Sequence, residues 1–251
     1  MKQPITTILA TLTRYWTTAM FINNINQLKC DPGRTELVLI IDNSDERIAK
    51  LISDNLHRKG YRNLIVEFND HIPDDKSVRV RRDRIAEVMN QAKGLIGDTE
   101  FVFGLEDDTT FPHRTMEKFL RFAGNTKDFG FITGIQVGRH GFPHVGAWKT
   151  DNYSDPKKIW SIPRFRGITN IDAGGFFCFL TPTSLFKSVD HSWKEPLGPD
   201  VNYGLIIKRR GFLCFADWDI ECGHMTILSP SDRSIRTLGF AKNDNKWSKI
   251  S

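Results

Sequence analysis

Three acids in a row, Glu106, Asp107 and Asp108, follow the apolar run Phe101–Leu105 in FVFGLEDDTTFP, with threonines and an aromatic-proline turn after them. Clustered carboxylates repel one another and lose solvation, so a fold that keeps them close usually supplies a cation. Hard oxygen ligands favour a divalent ion of the magnesium or manganese kind. The plainer alternative is a solvated acidic turn, since acids are common in turns. A second acid, Asp42, ends another apolar run, Glu36–Ile41. The paired glycines Gly174 and Gly175 let a backbone approach a ligand closely, or serve a tight turn or bulge.

The elements that must position these residues alternate. Ile5–Leu12 reads as a strand, Trp16–Leu28 as a helix stopped by Asp31-Pro32-Gly33, Glu36–Ile41 as a buried strand, and Asp45–Lys59 as a helix closed by Gly60. Asn63–Phe68 is the next strand, Asn69–Lys76 a loop, and Val78–Lys93 a basic-faced helix with Ile85, Val88, Met89 and Ala92 as its apolar stripe. Such βαβαβ order predicts a parallel sheet with helices on its faces and ligands bound at the carboxyl ends of the strands, where both acid-tipped strands end. Later segments read as a helix over Arg114–Ala123, a strand over Phe129–Val137, and a long irregular stretch, Arg139–Arg166, of the kind that forms binding loops. A run at Phe176–Leu180 follows, then a short helix at Leu185–Val189 and a helix opened by Gly198-Pro199-Asp200 and ending near Arg210. Phe212–Ala216 and Met225–Leu228 read as separate strands joined through Asp219–His224, and Arg233–Ser251 as a weakly packed polar tail.

Composition narrows the classes. In 251 residues, 39% are hydrophobic and 26% charged, as in an ordinary globular α/β domain. The 35 basic and 30 acidic residues leave a net charge of +5, which permits a phosphate-rich partner without requiring one. Four cysteines, Cys30, Cys178, Cys214 and Cys222, show no CxxC spacing, so reduced, buried thiols are expected. No apolar run approaches a membrane span, and the start lacks a signal-peptide pattern, so the expectation is a cytoplasmic protein. No G-x-G-x-x-G follows the first strand and no P-loop occurs, which disfavours dinucleotide-binding enzymes and Walker-type ATPases.

Taken in order, these segments resemble the nucleotide-sugar glycosyltransferases of the GT-A fold, family 2-like. LVLIIDNSDE, VRVRRDRIAEVMNQAKG and FVFGLEDDTTFP are similar to the donor-binding half, and DAGGFFCFLTPTSLF with LGPDVNYGLIIKRRGFLCFADWDIECGH to the acceptor half. The resemblance implies one Rossmann-like α/β domain with a mostly parallel central sheet. Residues 1–112 would form the donor half, 113–228 the acceptor half, and 229–251 the tail. It implies a divalent metal, Mn2+ or Mg2+, held by Asp108 and by His224 in CGHM, with Glu106 as a ribose or water-mediated metal partner. Asp42, Thr11, Thr13, Arg82 and Asp107 would serve the nucleotide. Gly174 and Gly175 would line the sugar and acceptor crevice, with Trp148, Trp160 or Trp193 stacking on a ring. Asp200 would be the base, or only orient the acceptor if configuration is retained; Pro199 replaces the first acid of the family's pair, and an Asp beside Pro at a helix start is also an ordinary cap. The implied reaction moves a sugar, by resemblance from a UDP-sugar, to a hydroxyl, which could include a hydroxylated base in DNA. The alternatives are a nucleotidyltransferase or pyrophosphorylase, for which a glycine-rich loop after the first strand is missing, and a non-catalytic nucleic-acid- or carbohydrate-binding protein.

Overall fold

All seven residues of Thr35–Ile41 are buried, because alternate side chains of this strand enter two different cores. The computed structural model describes residues 5–42, 45–57, 59–68, 78–136, 145–152, 159–161, 166–193, 197–227, 235–238, 240–243 and 246–249. The first half runs β1 (Thr6–Leu12), α1 (Tyr15–Gln27), β2 (Thr35–Ile41), α2 (Glu46–Leu56), β3 (Asn63–Phe68), α3 (Val78–Leu95), β4 (Phe101–Glu106), the two-residue β5 (Thr109–Thr110) and α4 (Thr115–Gly124). The second half runs β6 (Phe129–Gln136), β7 (Ala147–Thr150), β8 (Ile159–Ser161), β9 (Ile168–Ile171), β10 (Ala173–Gly174), β11 (Cys178–Pro182), α5 (Thr183–Ser188), α6 (Pro199–Arg209) and β12 (Leu213–Ile227), then β13 (Ile235–Leu238), β14 (Phe240–Asn243) and β15 (Lys246–Lys249).

The main sheet has the order β13-β12-β6-β11-β4-β1-β2-β3, with β5 and β9 also paired to β12. Strands β3, β2, β1 and β4 are mutually parallel, as the alternating pattern predicts. Beyond β4 the sheet is mixed: β11 runs antiparallel to both β4 and β6, and β12 returns parallel to β6. The period-2 alternation of the strands separates the layers. Ile8, Leu37, Leu39, Phe103 and Leu105 face α1, α2 and α4, whereas Leu9, Val38, Ile40 and Val102 face α3, α5 and α6. At Gly104 a Cβ would stand 2.0 Å from the Phe179 ring on the neighbouring strand, so only glycine leaves room for it.

Three sequence expectations change. Of the stretch 139–166, expected to be irregular, residues 147–150 and 159–161 are strands in a small sheet of order β10-β7-β8; residues 139–144, 153–158 and 162–165 lie outside the described residues, as does the expected loop 69–76. The two strands expected around Asp219 are one, β12, with register shifts between Ala216 and Glu221. The acids that read as a break occupy this irregularity, where the Asp219 amide donates to Asp217 Oδ1 at 3.0 Å. Within the expected polar tail, β13 extends the main sheet and β14 pairs with β15. Among the described residues no helix is long and apolar enough to cross a membrane.

Candidate active site

Strand register brings the distant acid and histidine together. β5 begins directly after Asp108 and pairs antiparallel with β12, with His224 opposite Thr109. Asp108 therefore lies beside His224, and Asp108 Oδ2 is 3.3 Å from His224 Nε2. Both residues are buried, at 6% and 3% exposure. Thr109 is held from the side by Gln136 Nε2, 3.0 Å from its hydroxyl. A carboxylate oxygen and an imidazole nitrogen at this separation suit two neighbouring positions around one small divalent ion, where adjacent ligands at octahedral angles stand about 3 Å apart. No group of three or more His, Cys, Asp or Glu arranged to hold a metal occurs among the described residues. Glu106, expected as a ribose or water-mediated metal partner, ends β4, half-buried, opposite Thr11 of β1.

Asp107 points the other way. It is 2% exposed and accepts from the Thr13 amide at 2.7 Å, the Thr13 hydroxyl at 3.1 and 3.2 Å, the Thr17 hydroxyl at 2.6 Å and the Arg14 amide at 3.4 Å. Asp107 and Thr13, both expected at the nucleotide edge, are thus bonded to each other there, with Thr17 as a further partner. Burial pushes the Asp107 carboxyl up to about 6, helped by the neighbouring Asp108 charge and opposed by the bonds from Thr17 and Thr13.

At the next strand end, Asp42 is buried and its amide donates to the Leu12 carbonyl at 2.9 Å. Its carboxylate is ion-paired with Arg84 of α3, which also donates to the Asp42 carbonyl at 3.1 Å. Arg82 was expected at the nucleotide edge; the arginine paired with Asp42 is Arg84, which has no local mark in the sequence beyond its place on the basic helix. Two positions apart on a helix are turned by roughly 200°, so the two arginines flank the apolar stripe of α3 on opposite sides. Arg82 instead lies over the Trp193 ring, 5.3 Å from its centroid, and Trp193 Nε1 donates to Asp83 Oδ1 at 2.7 Å.

Asp200 stands in the first turn of α6, behind the N-cap Gly198 and Pro199. The residue keeps some exposure, yet the protein enclosing its carboxyl raises its pKa. The amides of Val201 and Asp200 and the charge of Arg82 act in the opposite sense and are outweighed. Gly174 and Gly175 are buried, and the space a side chain would need is filled by Thr133 and Phe131 at the first and by Phe177 at the second. Core packing by itself requires glycine at both positions. Trp148 packs against Leu197, Val201 and Leu205 beneath α6, while Trp160 is 44% exposed. Cys222 is a buried free thiol, as expected.

Solved structures share this fold. The mannosyltransferase PcManGT from Pyrobaculum calidifontis, in complex with GDP-Man and Mn2+, matches 88% of this chain and 56% of its own with a TM-score of 0.62 and 12% identity. GalNAc-T7 with UDP, GalNAc and Mn2+ matches 89% of this chain and 44% of its own with a TM-score of 0.60 and 10% identity. The fold is that of the GT-A glycosyltransferases. The chain spans about half the length of these two proteins. Its sequence matches no protein-family model and no curated protein. Within the GT-A fold, the Asp108–His224 pair lies beyond the carboxyl end of β4, at the edge where strand ends in open α/β sheets collect their ligands.

Proposed function

We propose that this chain transfers a sugar from a nucleoside-diphosphate sugar to a hydroxyl acceptor, with a divalent ion held by Asp108 and His224. The observation that carries this reading is the approach of those two buried side chains at the ligand edge of a GT-A sheet. The structural neighbours were solved with Mn2+ and with GDP-Man or UDP, which supports the same class of donor here. A bound divalent ion supplies positive charge against the diphosphate, where negative charge grows as the sugar leaves. Asp42, oriented by Arg84, reads the base or ribose, with Thr11 and Glu106 at the same edge. Asp200, its pKa raised, accepts the proton of the acceptor hydroxyl; the freed oxygen bonds to the anomeric carbon as the bond to the diphosphate breaks. Trp148, Trp160 or Trp193 would stack on a sugar ring, Trp160 being the most exposed of the three.

We favour a UDP-sugar on the resemblance of the acid-tipped strands. For the acceptor, the net charge of +5 keeps a hydroxylated base in DNA within the proposal, and that acceptor demands base extrusion and salt-sensitive binding. The test is release of free nucleoside diphosphate from a panel of UDP- and GDP-sugars, with and without Mn2+, followed by mass spectrometry of candidate acceptors. Metal-dependent release from one donor is the expected result. Absence of binding and turnover with every donor, whatever the metal, refutes the proposal in favour of a non-catalytic binding protein.

A further inference from the structure

We propose that Asp107 is a positioning residue that, together with Thr13 and Thr17, sets the turn between β1 and α1 and so the edge against which the nucleotide lies. The inference rests on the donor reading above and goes beyond it, because it gives the middle acid a role that neither metal nor donor contact supplies. Arg14 is the N-cap of α1, and its side chain makes no capping bond. The first amides of a helix have no intrahelical acceptor, and a carboxylate placed there also meets the positive end of the helix dipole. Here the acceptor comes from 93 residues away along the chain, where Asp107 takes the Arg14 amide.

The other bonds make this more than a cap. The Thr13 amide and hydroxyl and the Thr17 hydroxyl all converge on the same carboxylate, so the turn and the first turn of α1 are fastened to the end of β4. Charge-assisted bonds of this kind are stronger than neutral ones, and the site is closed to water at 2% exposure. The next residue, Asp108, faces His224. One dipeptide therefore fixes two things at once, the turn beside the nucleotide and the acid beside the ion, and the spacing between them is that of adjacent residues on a single backbone. A donor must touch both, so loosening the turn should weaken nucleotide binding while leaving the reacting groups in place.

The test uses the full chain and three variants, Asp107→Asn, Thr17→Val and Thr17→Ser. Amide hydrogen exchange is read at Thr13 and Arg14, calorimetry gives the affinity for UDP and for GDP with Mn2+, and donor turnover gives KM and kcat. Asp107→Asn should speed exchange at those two amides at least tenfold with β4 unchanged, and weaken the better nucleotide about tenfold. Donor KM should rise in step while kcat stays within about threefold, the size expected when one or two bonds to a charged acceptor are lost. Thr17→Val should show a smaller effect in the same direction, and Thr17→Ser, which restores the hydroxyl, should return to the wild-type values. Thr17→Val also keeps the inference testable should Asp107→Asn fail to fold. Unchanged exchange in both variants overturns the inference, as does faster exchange with unaltered nucleotide affinity. Failure of the wild-type chain to bind either nucleotide refutes the donor reading and the nucleotide half of this inference together, whereas equal binding by wild type and both variants overturns the inference alone.

Discussion

Asp108 and Asp200 are held by different kinds of structure. Asp108 is placed by hydrogen-bonded strand register, with β5 against β12 and His224 opposite Thr109. Asp200 is placed by the start of a helix and by the segment leading into it. That segment is tied to α3 by Asn90, whose side chain donates to the His191 carbonyl at 2.7 Å and accepts from the His191 amide at 3.0 Å. Lys93 adds a bond to the Val189 carbonyl at 2.9 Å, and Trp193 reaches Asp83. Register leaves little freedom, because a slip by one residue turns every side chain to the opposite face. A side-chain-tied strap can shift by small amounts without unpairing a sheet. The Asp108–His224 approach is thus fixed by strand pairing, whereas Asp200 is fixed by the packing of α6, whose Val201, Tyr203, Leu205 and Ile207 are buried.

The sharpest way to break this contrast is at the register-held pair. Asp108→Asn and His224→Ala should each cost on the order of 1,000-fold or more in Mn2+-dependent donor turnover, since each removes one of two side-chain ligands. A variant that keeps wild-type turnover and metal response would remove the pair from the mechanism. Asp200→Asn should lower kcat roughly 100- to 10,000-fold while leaving nucleotide affinity as it was. With its pKa raised by burial, Asp200 works only when deprotonated, so wild-type kcat should fall with decreasing pH at values above the ordinary aspartate range. In Asp200→Asn that acid limb should vanish, and equal loss of nucleotide binding would argue for a role in folding.

The smallest effect concerns the strap itself. His191 is buried against Phe176, Phe186 and Tyr203, and this burial, with the Lys93 charge adding, lowers its pKa to about 4. The unfolded chain takes the same proton near 6.5, so the neutral ring's stabilisation is present above that pH and is lost as pH falls toward 4, in all by about 3 kcal/mol. Asp107, raised to about 6, works in the opposite sense over an overlapping window, gaining stability as it protonates. A comparison of His191→Phe with wild type in urea unfolding across pH 7 to 4 separates the two. The difference between them should shift in favour of the variant as pH falls, and parallel pH dependence would deny His191 its part.

The parallel half of the sheet was legible because its apolar residues alternate between two cores and leave acids only at the strand ends. The antiparallel return of β11 was not, since a buried run such as Cys178–Pro182 reads the same in either direction. Asp108 and His224 could be paired only through resemblance; nothing local to CGHM announces a neighbour more than a hundred residues earlier. Three consecutive acids look alike in a sequence, and the inward turn of Asp107 becomes visible only with Thr13 and Thr17 around it. Arg84 was within reach, because a helical wheel places it and Arg82 on opposite flanks of the stripe Ile85, Val88, Met89 and Ala92. The pair Gly174-Gly175 reads in the sequence as close ligand approach or as a turn, and the packing of Phe131, Thr133 and Phe177 against it is visible only in the fold.

The two-residue strand β5 has a consequence for how this protein can change. Because Thr109–Thr110 docks directly on Gly223–His224, the approach of Asp108 to His224 is set by this pairing and not by the length of chain between them. A connection between residues 112 and 212 whose lengthening leaves β6 and β9 paired with β12, and Gln136 on Thr109, should leave Asp108 where it stands against His224. A single residue inserted between Asp108 and Thr109 would do what a whole added loop would not.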